Sequence, residues 1–180
     1  METLVACLRR KVAEMPEVAC LGEHGGRAHL TWMIDTAERE RTLPLDKRLR
    51  WLGFVAGSRD FALFGSDGIS GARMRDIDCP VLSATDPKNE RVLFAGVDEV
   101  LEGLEEIAED QGGHAVTVLL EEARRSATAG KASFCLGYAQ AWMTHLGLIE
   151  VNAERDRTRP IFHRVYVQCG YAVPGSLSRT

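Results

Sequence analysis

The chain has 180 residues, of which 45% are hydrophobic and 27% charged, with a net charge of −4 and a pI near 5.8. This is enough apolar material for the core of one domain or two small ones, which excludes a chain that is disordered throughout. The low pI argues against direct nucleic-acid binding through phosphate neutralisation. No apolar run approaches the ~20 residues that span a bilayer.

Five scattered cysteines, an odd number without a C-x-x-C pair, argue against disulfides and against a zinc site. The five histidines show neither H-x-x-x-H nor H-E-x-x-H spacing. We therefore expect no metal and no cofactor. The first residues combine acidic Glu2 with basic Arg9, Arg10 and Lys11, unlike a secretory signal, so we expect a cytoplasmic protein.

Apolar side chains recur at helical spacing in the first part of the chain. Pro16, Pro44 and a glycine at position 65 mark where these segments end or begin. The pattern predicts a first helical unit over 1–78, with helices over 2–15, 29–39, 47–64 and 70–75.

The next segment differs in composition. Pro80 and Pro87 punctuate it, and Arg-Val-Leu-Phe-Ala at 91–95 is typical of a strand. We predict an irregular connector over 79–96 that holds a short hairpin or an extended segment.

Helical spacing resumes at Val97 and predicts a second helical unit over 97–175. Its helices are expected over 97–110, 114–127, 131–146, 153–158 and 160–167, with Pro160 at the first position of the last. The fold class is therefore mainly α, two tandem helical units with more than half of the residues helical and strand only in the connector.

The order of motifs in the first unit recurs in the second. Leu52-Gly-Phe54 corresponds to Leu136-Gly-Tyr138, and a glycine pair precedes a helix in each unit, at 25–26 and 112–113. Further on, Gly65 matches Gly147, and Arg75-Asp76 matches Arg155-Asp156. The sequence thus predicts two diverged copies of one motif, each burying its apolar face against the other.

Two consequences follow for the helices that carry these motifs. Gly53 and Gly137 would let the two helices approach closely, which offsets a helix-propensity cost of ~1 kcal/mol each. Trp51 and Trp142 lie in the same apolar helices, so both are predicted to be largely buried.

The second unit also carries Leu136-Gly-Tyr138, Gln140, Gly147-Leu-Ile149 and the run ERDRTRPIFH over 154–163. These motifs resemble small proteins of phages and prophages with a W-L-G-F-x-Q-G … E-x-R-D-x-T-R-P pattern. The first unit keeps Trp51-Leu-Gly-Phe54 but has Ala56 where the pattern has Gln, and it lacks T-R-P. The resemblance covers about forty residues per copy, implies a mobile-element accessory context and brings no known activity with it.

The segment 97–122 holds nine acidic residues and no Lys or Arg. On a helix its carboxylates fall on successive turns, where like charges repel by a few tenths of a kcal/mol per pair. Either they form a solvated helix face, or a partner with a basic surface compensates for the repulsion. The candidate partner-binding residues are Glu102, Glu105, Glu106, Glu109 and Asp110.

A second candidate is the group Arg155, Arg157 and Arg159, which could bind an anion or could pair locally with Glu154 and Asp156. A metal-dependent nucleotide hydrolase is a weaker alternative. The segment 105–109 matches the E-E-x-x-E motif of helical nucleotide pyrophosphohydrolases, but arginines occupy the positions where their second motif, E-x-x-D, needs Asp.

The leading hypothesis is a non-enzymatic protein-binding module. It would be a phage or mobile-element accessory protein that binds a basic surface of a host protein and inhibits a nucleic-acid-handling or defence complex. The alternative is a small enzyme with a carboxylate–arginine site for a phosphate-containing substrate. No catalytic residue is assigned, and the sequence is compatible with a homodimer.

Overall fold

The computed structural model describes residues 2–15, 26–39, 42, 44–64, 87–109 and 113–149. Six helices cover 86% of these residues, and none of the residues lies in a strand. The helices are α1 (Glu2–Ala13), α2 (Arg27–Arg39), α3 (Leu45–Phe64), α4 (Pro87–Ile107), α5 (Gly113–Arg124) and α6 (Ala129–His145). The predicted mainly α fold is thus confirmed for the described part of the chain.

Helix α4 begins ten residues before the predicted start at Val97, inside the predicted connector. Residues 91–95 are helical, so the strand predicted there is wrong. Proline suits the first position of a helix, and the Asp that precedes Pro87 is a favoured capping residue type. In the sequence Leu93 stands four residues before Val97, a spacing that also fits a helix.

Other parts of the predicted arrangement lie outside the described residues. These are the remainder of the connector, 79–86, and the helices predicted over 70–75, 153–158 and 160–167. The division into units at 1–78 and 97–175 stays a prediction, although α4, which was expected to start after the connector, already starts at Pro87.

Local signals in the sequence set both ends of α6. The Thr128 side chain accepts a hydrogen bond from the Lys131 backbone N–H at 3.2 Å, as an N-cap does. At the other end Gly147 has a φ of +75°, and its N–H donates to the Thr144 carbonyl at 3.0 Å. A glycine in this conformation is a common way to end a helix.

The helices form two triplets, α1–α3 and α4–α6, and within each triplet every helix packs on the other two. The most extensive contact joins the triplets through α3 and α6. Residues 49–58 of α3 and 132–143 of α6 are buried without interruption. A helix that is buried on every side needs apolar residues all round, and these two helices form the centre of the molecule.

Glycines allow α3 and α6 to approach until their backbones touch. A Cβ atom on Gly53 would overlap the Phe134 carbonyl oxygen, and one on Gly137 would overlap the Arg50 carbonyl oxygen. Four residues further along α3, a Cβ on Gly57 would lie 2.6 Å from the Tyr138 carbonyl oxygen. Since the contacts advance together along both helices, α3 and α6 run parallel. Small residues four apart permit this packing, and the predicted close approach is confirmed.

Most buried apolar positions of the outer helices correspond between the two triplets, but Ile107 is buried where the equivalent Lys11 is half-buried, and the buried Thr36 corresponds to the half-buried Glu122. In α2 and α5 the correspondence is a constant shift of 86 residues, and in α1 and α4 it is a constant shift of 96. The matched buried residues are Leu30, Met33, Ile34 and Ala37 with Val116, Leu119, Leu120 and Ala123, and Leu4, Val5, Leu8 and Val12 with Val100, Leu101, Leu104 and Ala108. This equivalence supports the duplication, which concerns ancestry and stays a prediction.

Both tryptophans of the central helices are buried, as predicted, with 1% of Trp51 and none of Trp142 exposed. The Trp51 indole N–H donates to the Met33 carbonyl at 2.7 Å, which ties α3 to α2. Trp142 packs edge-on against Phe61, with 4.9 Å between the ring centroids. None of the described helices combines the length and the apolar character needed to cross a membrane.

Candidate functional site

Carboxylates line the outward side of α4 and the turn after it, opposite the buried Val97, Leu101 and Leu104. We call this surface the acidic face, and its members are Asp98, Glu99, Glu102, Glu105, Glu106 and Glu109. All are exposed except Glu105, which is half-buried. The structure therefore brings four of the five predicted partner-binding residues onto one surface, and the fifth, Asp110, lies outside the described residues.

Glu105 is bound by an arginine of this chain. Arg124 of α5 donates from Nε to Glu105 Oε1 at 3.0 Å and from Nη2 to Oε2 at 2.6 Å. The hydrogen bonds to Glu105 raise the pKa of the Arg124 guanidinium, and the charges of Asp98 and Glu102 raise it further. The repulsion among the carboxylates of α4 is thus partly offset by the charge of Arg124 on α5. Glu105 is also less available to a partner than the neighbouring carboxylates.

In the first triplet, the ion pair equivalent to Glu105–Arg124 has its charges reversed. Arg9 of α1 donates to Asp35 Oδ1 at 2.6 Å and to Glu38 Oε2 at 2.7 Å, both on α2. These hydrogen bonds raise the pKa of the Arg9 guanidinium. Under the shifts that match the buried residues, Arg9 corresponds to Glu105 and Glu38 to Arg124. Because a basic residue occupies the position equivalent to Glu105, the helix packing does not require acids there.

The arginine group of the predicted anion site lies in a part of the chain that the structure does not describe. An anion site at Arg155, Arg157 and Arg159 therefore stays a prediction. The enzymatic alternative needs these arginines together with the carboxylates of 105–109. Within the described part, the arginine beside those carboxylates is Arg124.

A polar group that sequence patterns did not reveal connects α3 and α6. The Tyr138 hydroxyl donates to Asp60 Oδ2 at 2.8 Å, and Ser58 Oγ and His145 Nε2 lie 2.9 Å apart. Arg59 also donates to Asp60, from Nη1 to Oδ1 at 2.6 Å. The polar run Ser-Arg-Asp within the apolar α3 indicates that polar partners are needed there. The partners on α6 stand 78 and 87 residues away in the sequence, so local spacing does not identify them.

A serine beside a histidine could act as a nucleophile and its general base, but only if a substrate can reach the serine hydroxyl. Ser58 is completely buried, and Asp60 is only 4% exposed. The His145 ring packs against Phe61 and Phe54, with centroids 5.3 and 6.2 Å apart. A substrate cannot reach the Ser58 hydroxyl in this arrangement, and the pair acts as a tether between the two helices.

Cys135 is equally unsuited to nucleophilic chemistry. Its side chain is buried, and burial raises the pKa of the thiol to about 11. The Ser126 hydroxyl lies 3.8 Å from the sulfur. Because the thiolate is the reactive form, a thiol with this pKa is inert at neutral pH.

Gln140, which matches the glutamine of the phage-protein pattern, is buried in α6. Its Oε1 accepts no hydrogen bond from the described residues. Among these residues no three His, Cys, Asp or Glu side chains are grouped so that they could hold a metal ion. No family model, curated protein or solved structure matches the chain.

Proposed function

We propose that this protein is a non-enzymatic binding module that attaches through the acidic face of α4 to a basic surface of a partner protein. The observation that carries the proposal is the contrast between equivalent helices. Helices α1 and α4 share four equivalent buried apolar positions, yet Arg9 and Arg10 stand where α4 has Glu105 and Glu106. Packing alone does not explain the acids of α4.

The chemistry of the other described side chains supports a binding role over a catalytic one. Ser58 and Cys135 are enclosed in the core, and Asp60 is engaged by Arg59 and Tyr138. By contrast, Glu102, Glu106 and Glu109 are open to solvent. A charged surface of this kind contributes mainly to the rate and specificity of association.

The resemblance to phage proteins suggests a host protein as the partner. A dense row of carboxylates can occupy a surface that binds the phosphates of nucleic acids, since both present closely spaced negative charges. The partner would then belong to a nucleic-acid-handling or defence complex, and the module would inhibit it by occupying that surface.

Capture from a bacterial lysate with three versions of the tagged chain tests this proposal. The first is the wild type, and the second replaces Glu102, Glu106 and Glu109 with Gln. The third is a control that replaces Glu14, Glu121 and Glu122 with Gln, which changes the net charge equally but lies off the acidic face. Captured proteins are quantified by mass spectrometry at about 50 mM and 500 mM salt, since the Debye length shortens severalfold between them.

We expect a basic protein that the wild type and the control capture at low salt and that the acidic-face variant captures on the order of tenfold less. High salt should remove the difference because it screens long-range attraction. Equal capture by all three versions at low salt would contradict the proposal.

A further inference from the structure

The contact between the two triplets depends on one pair of helices. The extensive helix contacts other than α3–α6 all lie within a triplet, α1–α3 or α4–α6. Along the chain, α3 and α4 are joined by 22 residues, 65–86. A segment of that length can reach at most roughly 70–80 Å, so covalent connection alone does not dictate that α3 pairs with the α6 of its own chain.

The polar contacts between α3 and α6 determine which helix can pair with α3. Asp60 and Ser58 find their partners in Tyr138 and His145 of α6. Under the shift of 84 residues that matches Gly53 with Gly137, α3 itself has Phe54 and Phe61 at those two positions. Two α3 helices paired with each other would leave Ser58 Oγ and Asp60 Oδ2 facing phenylalanines, with Arg59 still bound to Asp60 Oδ1. A buried polar atom without a partner is costly. The α3 surface therefore selects an α6.

We infer that α3 of one chain pairs with α6 of a second copy to form a domain-swapped dimer, in which the α1–α3 triplet of each chain packs on the α4–α6 triplet of the other. Every contact of the monomer's α3–α6 interface can form again between the copies, because each copy supplies the half that the other needs. Exchange of identical elements is a known low-cost route to dimers. Pairing within one chain does not depend on protein concentration, whereas pairing between chains does, so the monomer dominates unless its own pairing is blocked or the protein is concentrated.

Complementation between two full-length variants tests the exchange. Gly53→Leu places a side chain against the Phe134 backbone, and Gly137→Leu places one against the Arg50 backbone. In either variant alone, every α3–α6 pairing includes a leucine, whether it forms within or between chains. A mixture contains one intact α3 and one intact α6, but on different chains.

The variants are unfolded in urea, refolded separately and together, and analysed by size-exclusion chromatography with light scattering. We expect only the mixture to give a 1:1 dimer, with twice the 19.9 kDa of one chain. Its near-ultraviolet circular dichroism should recover tertiary signal that neither variant shows alone. A mixture of Gly53→Leu with Gly96→Ala is the control and should give no dimer, since Gly96 has nothing within 4 Å of an added Cβ and its chain keeps both intact helices.

Two outcomes overturn the inference. One is a mixture that stays monomeric or insoluble with both the leucine pair and the milder pair Gly53→Ala and Gly137→Ala. The other is a dimer of Gly137→Leu alone, because that chain has an intact α3 only, and its dimer would mean that α3 pairs with α3. A wild-type sample refolded at millimolar concentration with two different tags should also give dimers that carry both tags.

Discussion

Gly53 and Gly137 each stand where the backbone of the neighbouring helix passes, with Phe134 and Arg50 as their reciprocal neighbours. A methyl group at either position meets a carbonyl that belongs to a helix backbone and cannot turn aside as a side chain can. The helices would have to separate, which would weaken the packing along their whole contact. The stability of the core therefore depends on the absence of a side chain at these positions.

We predict that Gly53→Ala lowers the free energy of unfolding by about 1–3 kcal/mol or more, the usual cost of overpacking. Gly96→Ala is the matched control, since Gly96 lies on the exposed side of α4 with nothing within 4 Å of the new Cβ. That change should leave stability unaltered or raise it by up to ~1 kcal/mol through helix propensity. Urea denaturation measures both, and equal effects of the two changes would refute the close approach.

The reactivity of Cys135 gives a second prediction at this scale. With its pKa raised to about 11 by burial, only about one Cys135 thiol in a thousand is ionised at pH 8. Iodoacetamide at pH 8 should therefore leave Cys135 unlabelled in the folded protein and label it in urea. Cys7 of α1 is half-exposed and serves as the internal reference in peptide mass spectrometry. Labelling of the two cysteines at similar rates in the folded protein would show that Cys135 is accessible.

Periodicity predicted five of the described helices, α1, α2, α3, α5 and α6, to within a few residues. It also predicted the glycines at the helix contact, because a glycine inside a long apolar helix needs a packing reason. The predicted start of α4, Val97, was wrong for an equally physical reason. A short apolar run such as residues 92–95, a few residues after Pro87, has a composition that suits both a strand and a helix.

The side-chain hydrogen bonds between α3 and α6 could not be predicted from sequence patterns. A hydrogen bond such as Asp60–Tyr138 joins residues that no local spacing relates, and only the parallel packing of the helices brings them together. The acidic face was predictable as a stripe on one helix. Its neutralisation by Arg124 was not, since this pair depends on how α5 lies beside α4.

The opposite ion pairs of the two triplets give a prediction for the helix pair α4–α5. Exchanging the charges, with Glu105→Arg and Arg124→Glu together, copies the arrangement of Arg9 on α1 and Glu38 on α2. The Arg124 and Glu105 side chains are 48% and 31% exposed, so we expect a coupling energy of only about 0.2–1 kcal/mol in a double-mutant cycle. Arg124→Glu alone should be the less stable single variant, since it adds an acid near Asp98 and Glu102.

Urea titrations of the four proteins in this cycle give the coupling energy. The same cycle in 1 M salt should give a value closer to zero, because salt screens partly exposed charges. A coupling energy of zero at low salt would contradict the prediction and show that the bidentate contact does not stabilise the fold.

In the molecule as a whole, the six described helices share one core. Its buried residues run without a break from α1 and α2 through the central α3–α6 pair to α4 and α5. Two triplets that bury their apolar faces against each other lose that protection together. Stability in such a molecule belongs to the pair of triplets, although the contact between them is concentrated in two helices.

We therefore predict that both triplets unfold in a single transition, and the tryptophans allow this to be measured. Trp32 and Trp51 report on the first triplet in a Trp142→Phe variant, and Trp142 reports on the second when the other two are replaced with Phe. In each variant the fluorescence midpoint in urea should coincide with the midpoint from far-ultraviolet circular dichroism, the usual test of two-state behaviour. Adding Gly53→Ala to both variants should lower their midpoints and separate the two fluorescence transitions, because that change acts at the contact between the triplets. If the transitions are already separate without Gly53→Ala, the triplets fold independently, and the α3–α6 contact contributes little to either.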